Sequence, residues 1–387
     1  MRILQLALFS CALLAATAAA QPSGIDFATP AGPDRTCPKY RGLEPAKLGS
    51  DADRAAFAIC NTIDLVREAS SRFRSYQSQG ERNDNALVSD LRSRLERINE
   101  RIRASRLALD GIKGAGPYFV ARPGEWAIDW DGDGAISAFE KYLRWVPKRG
   151  VNAFRPAHQY NSQDAYYQEQ FVSPRIKVDR SDAYWAAAYL QFAETLLNTV
   201  LAYEYDLSQG FQIRLRDPDR IRKLAYQNLL GGLRASALLR QSLAKETDDD
   251  DEWIPNPKQV RTSFPLLLDA QTFATWGELL GHMEKLFRGQ TLLGGTVESQ
   301  EFRNVRDLSG GVCPPGQGID VQSLFTDPIR DPTGPDVLKA RCALPTAKRP
   351  MTGLAAMIAA SLKRNAGRTP DSFSGEWMIL RHFYWVN

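Results

Sequence analysis

Asn85–Asp110 reads NALVSDLRSRLERINERIRASRLALD, and the spacing of its apolar residues decides the class of fold. Val88, Leu91, Leu95, Ile98 and Ile102 recur on alternating three- and four-residue steps and Leu109 follows seven residues on, which places them along one side of a helix. Ile59, Ile63, Val66 and Phe73 repeat the pattern between Ala52 and Gln77. The polar stretch 78–84 between them reads as a turn, so the two segments predict an antiparallel helical hairpin. Arg92, Arg94, Arg97, Arg101, Arg103 and Arg106 lie off the apolar stripe. With Asp90, Glu96 and Glu100 interspersed, they read as a solvated face in preference to a surface for anionic lipid or glycan.

Further helices follow the same logic. Trp185, Tyr189, Phe192, Leu196, Val200 and Tyr203 fall on one face between Asp182 and Tyr205. Asp217-Pro218-Asp219 opens another helix to about Lys245, in which Gly231-Gly232 lowers helicity unless a neighbour packs closely there. Asp269 can cap a helix over Ala270–Phe287, with Gly289 placed to end it, and Thr352–Arg364 is a shorter one. The run Thr247-Asp248-Asp249-Asp250-Asp251-Glu252 lacks the glycine and spacing of a formed cation loop and reads as a solvated linker. Glu278 and His282 share a side four residues apart, yet no second such pair exists to complete a metal site, so an exposed pair is the expectation. The apolar end, Trp377 to Val386, is expected to be a buried strand or closing helix.

Chemistry is most explicit between two of these helices, at Asp129-Trp130-Asp131-Gly132-Asp133-Gly134-Ala135-Ile136-Ser137-Ala138-Phe139-Glu140. Short acids at positions one, three and five can each turn an oxygen toward a hard cation, and Gly134 permits the sharp turn around it. The stretch resembles the calcium loop of the EF-hand family at all twelve positions. That resemblance implies Ca2+ held by Asp129, Asp131, Asp133, the Ala135 carbonyl, Ser137 and a two-oxygen Glu140. It also implies that Ile136 fills an apolar slot and that a helix leaves the loop from Ser137 to about Trp145. Two departures limit it: Gly116, Pro117, Pro123 and Gly124 forbid a regular entering helix, and no second loop exists to pair with. A lone loop with a stiff approach fits a structural calcium clip better than a sensor.

Met1-Arg2, the apolar run Ile3–Ala16 and Ala18-Ala19-Ala20 form a signal-peptide pattern over residues 1–20, carrying Cys11 with it. The expectation is an exported product, periplasmic or secreted, with no transmembrane segment after cleavage. Residues 21–50, rich in proline and glycine, read as an extended arm, and 51–387 as one large helical domain with a subdivision near 247–257 left open. Cys37, Cys60, Cys313 and Cys342 remain, enough for two disulfides in one of three connectivities. The cheapest by sequence distance pairs Cys37 with Cys60 and Cys313 with Cys342. Together these features predict a mainly α fold: a helical bundle with long, disulfide-pinned irregular loops and one calcium loop.

Lysine and arginine number 49 against 45 acids, a formal charge of +4 spread along the chain, which gives no case for nucleic acid. No G-x-S-x-G elbow, H-E-x-x-H, phosphate loop or dinucleotide fingerprint is present. The stretch 152–175 is rich in amides and aromatics, and Arg155, His158, Tyr160, Tyr166 and Tyr167 are its candidate ligand residues. Two functional expectations follow. One is a non-catalytic, exported, calcium-binding protein with a protein or glycan partner. The other is a hydrolase of polysaccharide or cell wall, whose two carboxylates would converge from distant positions.

Overall fold

The computed structural model describes residues 24–77, 84–137, 140, 146–147, 171–206, 212–264, 268–297, 306–309, 311–332 and 337–365. The signal-peptide pattern, the exit segment 141–145, Arg155, His158, Tyr160, Tyr166, Tyr167 and the apolar end all lie outside these residues. The fold is mainly helical with little sheet. Its long helices are α1 (Asp51–Gln77), α2 (Asp84–Asp110), α3 (Arg180–Leu201), α4 (Tyr226–Leu243), α5 (Ala270–Phe287) and α6 (Leu354–Asn365). Each packs on the next in sequence, so local connectivity carries most of the tertiary structure.

Helix ends follow the sequence closely. Ser50 Oγ accepts from Asp53 N–H at 3.0 Å while Asp53 Oδ2 accepts from Ser50 N–H at 3.2 Å, a reciprocal box that starts α1. Asp179 and Asp182 form the same box at the start of α3. Asp269 caps α5 as expected, and Gly289 ends it at φ +68°, a conformation that glycine adopts without penalty. A six-residue π turn, Arg220–Ala225, precedes α4.

The hairpin of α1 and α2 forms, with Asn61 Nδ2 donating to Ser105 Oγ at 3.0 Å and Arg101 bonded to Glu68 at 3.2 Å. Its apolar stripe, however, does not set the whole interface. Leu91 is 50% exposed, whereas Asn99, Ser105 and Ala108 are buried. The reason is a polar seam against α3 and the π turn. Arg106 bonds the buried Glu194 at 2.5 Å, Asn99 Nδ2 donates to Asn198 at 3.1 Å, and Arg220 grips Glu96 with both terminal nitrogens. Arg92 donates to the carbonyls of Leu201 and Tyr203, capping the end of α3. Arg97 and Arg103 alone among the six arginines face solvent as a balanced charged surface would.

Both short-range disulfides are present, Cys37–Cys60 and Cys313–Cys342, and place the fold in an oxidising setting. No described helix is long and apolar enough to cross a membrane. The segment expected to be an extended arm is instead packed. It contains a helical turn at Gly32–Thr36 and 3-10 turns at Cys37–Tyr40 and Pro45–Lys47, because Phe27, Cys37 and Tyr40 are drawn into the core. Phe27 is fully buried between Phe119 and Trp126, with ring centroids 5.1 and 5.9 Å away. No entering helix precedes Asp129; the approach is strand β1 (Phe119–Ala121) and a 3-10 turn at Pro123–Glu125. Strand β1 pairs antiparallel with β2 (Ile176–Val178), which delivers the chain to α3.

Candidate functional site

Two groups of acids converge among the described residues, and only the first is readable from a motif. Asp129, Asp131 and Asp133 each bring a carboxylate oxygen within 4.8 Å of the others. Loop backbone organises them: Asp129 Oδ1 accepts from Gly132 N–H at 2.7 Å and its Oδ2 from Gly134 N–H at 2.8 Å. Asp133 Oδ1 accepts from Ala135 N–H at 2.8 Å. Gly132 and Gly134 have φ of +74° and +86°, so the turn needs both glycines. The Gly134 hydrogen bond, the largest of several effects, holds the Asp129 carboxyl below its usual range. Every donor in this group is a hard oxygen, which fits a hard divalent cation.

Glu140, the last residue of the loop, is held by hydrogen bonds from within it. It is 5% exposed and lies outside the converged aspartates. Its Oε1 accepts from the backbone of Trp130 at 2.6 Å and of Asp131 at 3.3 Å, and its Oε2 from Ser137 N–H at 2.7 Å. Ser137 Oγ in turn accepts from Glu140 N–H at 3.2 Å. Ser137 and Glu140 thus form a capping box at the end of the loop, while Glu140 Oε1 ties that end to Trp130 and Asp131 at its start. Burial pushes the Glu140 carboxyl up, but the N–H groups of Ser137 and Trp130 outweigh it and hold it low. Ile136, expected in an apolar slot, is 37% exposed among the described residues.

Asp179, Glu246 and Glu252 form the second group, again within 4.8 Å of one another. They come from the start of α3, the end of α4 and the acidic run. That run is not a loose linker. Asp249 Oδ1 accepts from Val260 and Arg261 N–H at 2.8 Å, Asn256 Nδ2 bonds the Leu243 and Glu246 carbonyls, and Lys177 pairs with Asp248. Glu252 ends up 4% exposed beside the buried Trp253. Ser181 donates its hydroxyl to Glu246 Oε1, while Glu246 Oε2 is buried without a hydrogen bond.

Crowded carboxylates in a dry setting resist ionising together. Burial, reinforced by the charges of Asp179 and Glu246, pushes Glu252 up to about 8. Burial also pushes Glu246 up to about 7 and raises Asp179 and, strongly, the neighbouring Asp182. Asp179, Glu246, Asp248 and Lys177 open onto a cavity of about 390 Å3. On the other side of α3, a cavity of about 610 Å3 is lined by Trp126, Trp130, Trp185, Tyr189 and Trp253. Asp182 reaches this second cavity, so the acids sit between a polar hollow and an apolar one.

No motif spacing marks the second group, because its members are far apart in the chain. The one sequence signal was Glu252, an acid set directly against the apolar Trp253-Ile254. Glu278 and His282 show no converged metal set among the described residues; His282 packs its ring over Gly353. No protein-family model matches the chain, and no curated protein or solved structure matches it either.

Proposed function

We propose that this chain is an exported, non-catalytic helical-bundle protein that binds calcium in an EF-hand-like loop and presents itself to a protein or glycan partner. Convergence of Asp129, Asp131 and Asp133 around a glycine-turned backbone is the observation that carries the calcium reading. The ion's role is structural. The loop follows directly on the segment 111–128, and Trp126 and Ile128 before it and Trp130 within it are core residues. Calcium offsets two of the three clustered negative charges and thereby fixes the loop against this core. Calorimetric titration with Ca2+ tests it: one site lost in Asp129→Ala supports the reading, and unchanged binding in that variant removes it.

A second reading has one observation in its favour. Asp179 and Glu246 face the cavity of about 390 Å3, as the acid pair of a polysaccharide hydrolase would. Retaining enzymes of that kind hold two carboxyl groups about 5–5.5 Å apart. Here three carboxylates lie within 4.8 Å, and the third, Glu252, is enclosed away from substrate. That crowding suits a caged cation better than an acid and a nucleophile. Release of sugar from cell-wall polysaccharide by the purified chain, abolished in Glu246→Gln, would reverse this preference.

A further inference from the structure

We propose that Asp179, Glu246 and Glu252 form a second divalent-cation site, independent of the loop at 129–140. The three carboxylates bring one oxygen each within 4.8 Å of the others. Oxygens on opposite sides of a calcium ion are separated by about twice the 2.3–2.6 Å bond length, so this spread is what such a site needs. Glu252 supplies an independent observation. It is 4% exposed and aimed into the group, and what acts on its carboxyl is burial and the charges of Asp179, Glu246, Asp248 and Lys177, with no hydrogen bond among the causes. Glu246 Oε2 is likewise buried without a donor.

Buried carboxylates are ordinarily paired with a cation or saturated with donors; here Asp179 accepts from the backbone of Ser181 and Asp182 and Glu246 from the Ser181 hydroxyl, which leaves Glu252 and Glu246 Oε2 to be satisfied otherwise. Lys177, which lines the cavity beside them, is engaged by Asp248. The guanidinium of Arg180 instead lies over the Tyr184 ring, 5.5 Å from its centroid. Three ionised carboxylates would leave a charge of −3 in the hollow, which a divalent ion reduces to −1. The scaffold is also rigid: Asp179 is fixed as the cap of α3, and the Glu246–Glu252 loop is laced by Asn256, Gln259 and Asp249. Entry is from the polar cavity that Asp179 and Glu246 line. All-oxygen ligation selects a hard ion, Ca2+ or Mn2+, over zinc or copper.

The test separates this site from the loop. The full chain is stripped with chelator and titrated calorimetrically with Ca2+ alone and with Mn2+ alone. Asp129→Ala, which disables the loop, is expected to retain one ion for one of the two metals, and Asp129→Ala combined with Glu252→Gln is expected to retain none. Glu252→Gln by itself should keep only the loop ion. Because it keeps the shape of the side chain, it should also melt no lower than wild type in chelator, which shows that it folds. Glu246→Gln serves as a second variant with the same expected loss. If Asp129→Ala binds neither metal, or if Glu252→Gln and Glu246→Gln bind as many ions as wild type, the second site is overturned while the loop reading stands or falls on Asp129→Ala alone.

Discussion

Glu140 Oε1 lies 2.6 Å from the backbone nitrogen of Trp130, ten residues earlier in the chain, and both residues are buried. The side chain that resemblance assigns to the ion is therefore also the strut that closes the loop on itself. Glu140→Ala leaves the Trp130 N–H buried without its acceptor and breaks the box with Ser137. The loss is expected to be about 2–3 kcal/mol even in chelator, combining an unsatisfied buried donor with a lost cap. Urea unfolding with chelator present measures it; a wild-type midpoint would show that Glu140 acts only through an ion.

Removing calcium should act differently from removing Glu140. At an ion concentration 100-fold above the dissociation constant, one site stabilises the folded state by about 2.7 kcal/mol. Wild type is expected to melt lower in chelator, Asp129→Ala to lose the part of that shift supplied by the loop ion, and Asp129→Ala combined with Glu252→Gln to melt at one temperature with or without calcium. Equal wild-type melting curves with and without chelator would contradict a structural ion.

Gly231 and Gly232 are expected to resist the usual stabilisation by alanine. A Cβ on Gly232 would stand 2.5 Å from Cε1 of Phe192, and one on Gly231 would stand 1.7 Å from Gln191 Oε1. Alanine ordinarily improves a helix by about 1 kcal/mol over glycine. Here overpacking between α3 and α4 is expected to reverse the sign, with Gly232→Ala destabilising by about 1–3 kcal/mol. Denaturant midpoints of the single variants decide it. Gly232→Ala is the more decisive, since an aromatic ring yields less readily than an amide end.

The helices were legible because their signals are local. The cap at Asp269, the stop at Gly289 and the tolerance for Gly231-Gly232 all follow from nearest neighbours in sequence or one close packing partner. Cysteine pairing was legible for the same reason, loops of short span. The stripe of α2 misled at Leu91, because partners from α3 and the π turn bury arginines and asparagines instead. The acid group of Asp179, Glu246 and Glu252 was illegible, since it exists only once the end of α4 is folded against the start of α3. A run of five consecutive acids hides the one that turns inward.

Arg220 links that polar seam to pH. Its guanidinium hydrogen bonds to Glu96, at 2.7 and 2.6 Å, are the main cause of a carboxyl held below its ordinary value, with partial burial opposing them. A carboxyl lowered in the folded state contributes stability above its unfolded value, and that contribution is lost as pH falls through the folded value. Part of the acid destabilisation of this protein, beginning below about pH 4.5, is therefore expected to come from Glu96. Glu96→Gln should melt below wild type at pH 7 and approach it as pH falls to about 3, since wild type then loses the same ion pair. Arg220 Nε also donates to Asn198 at 3.0 Å, which keeps the guanidinium in place when the carboxylate is gone. The measurement is the difference in melting temperature between the two proteins across pH 3–7. A constant difference would mean that Glu96 acts by packing and not through its charge.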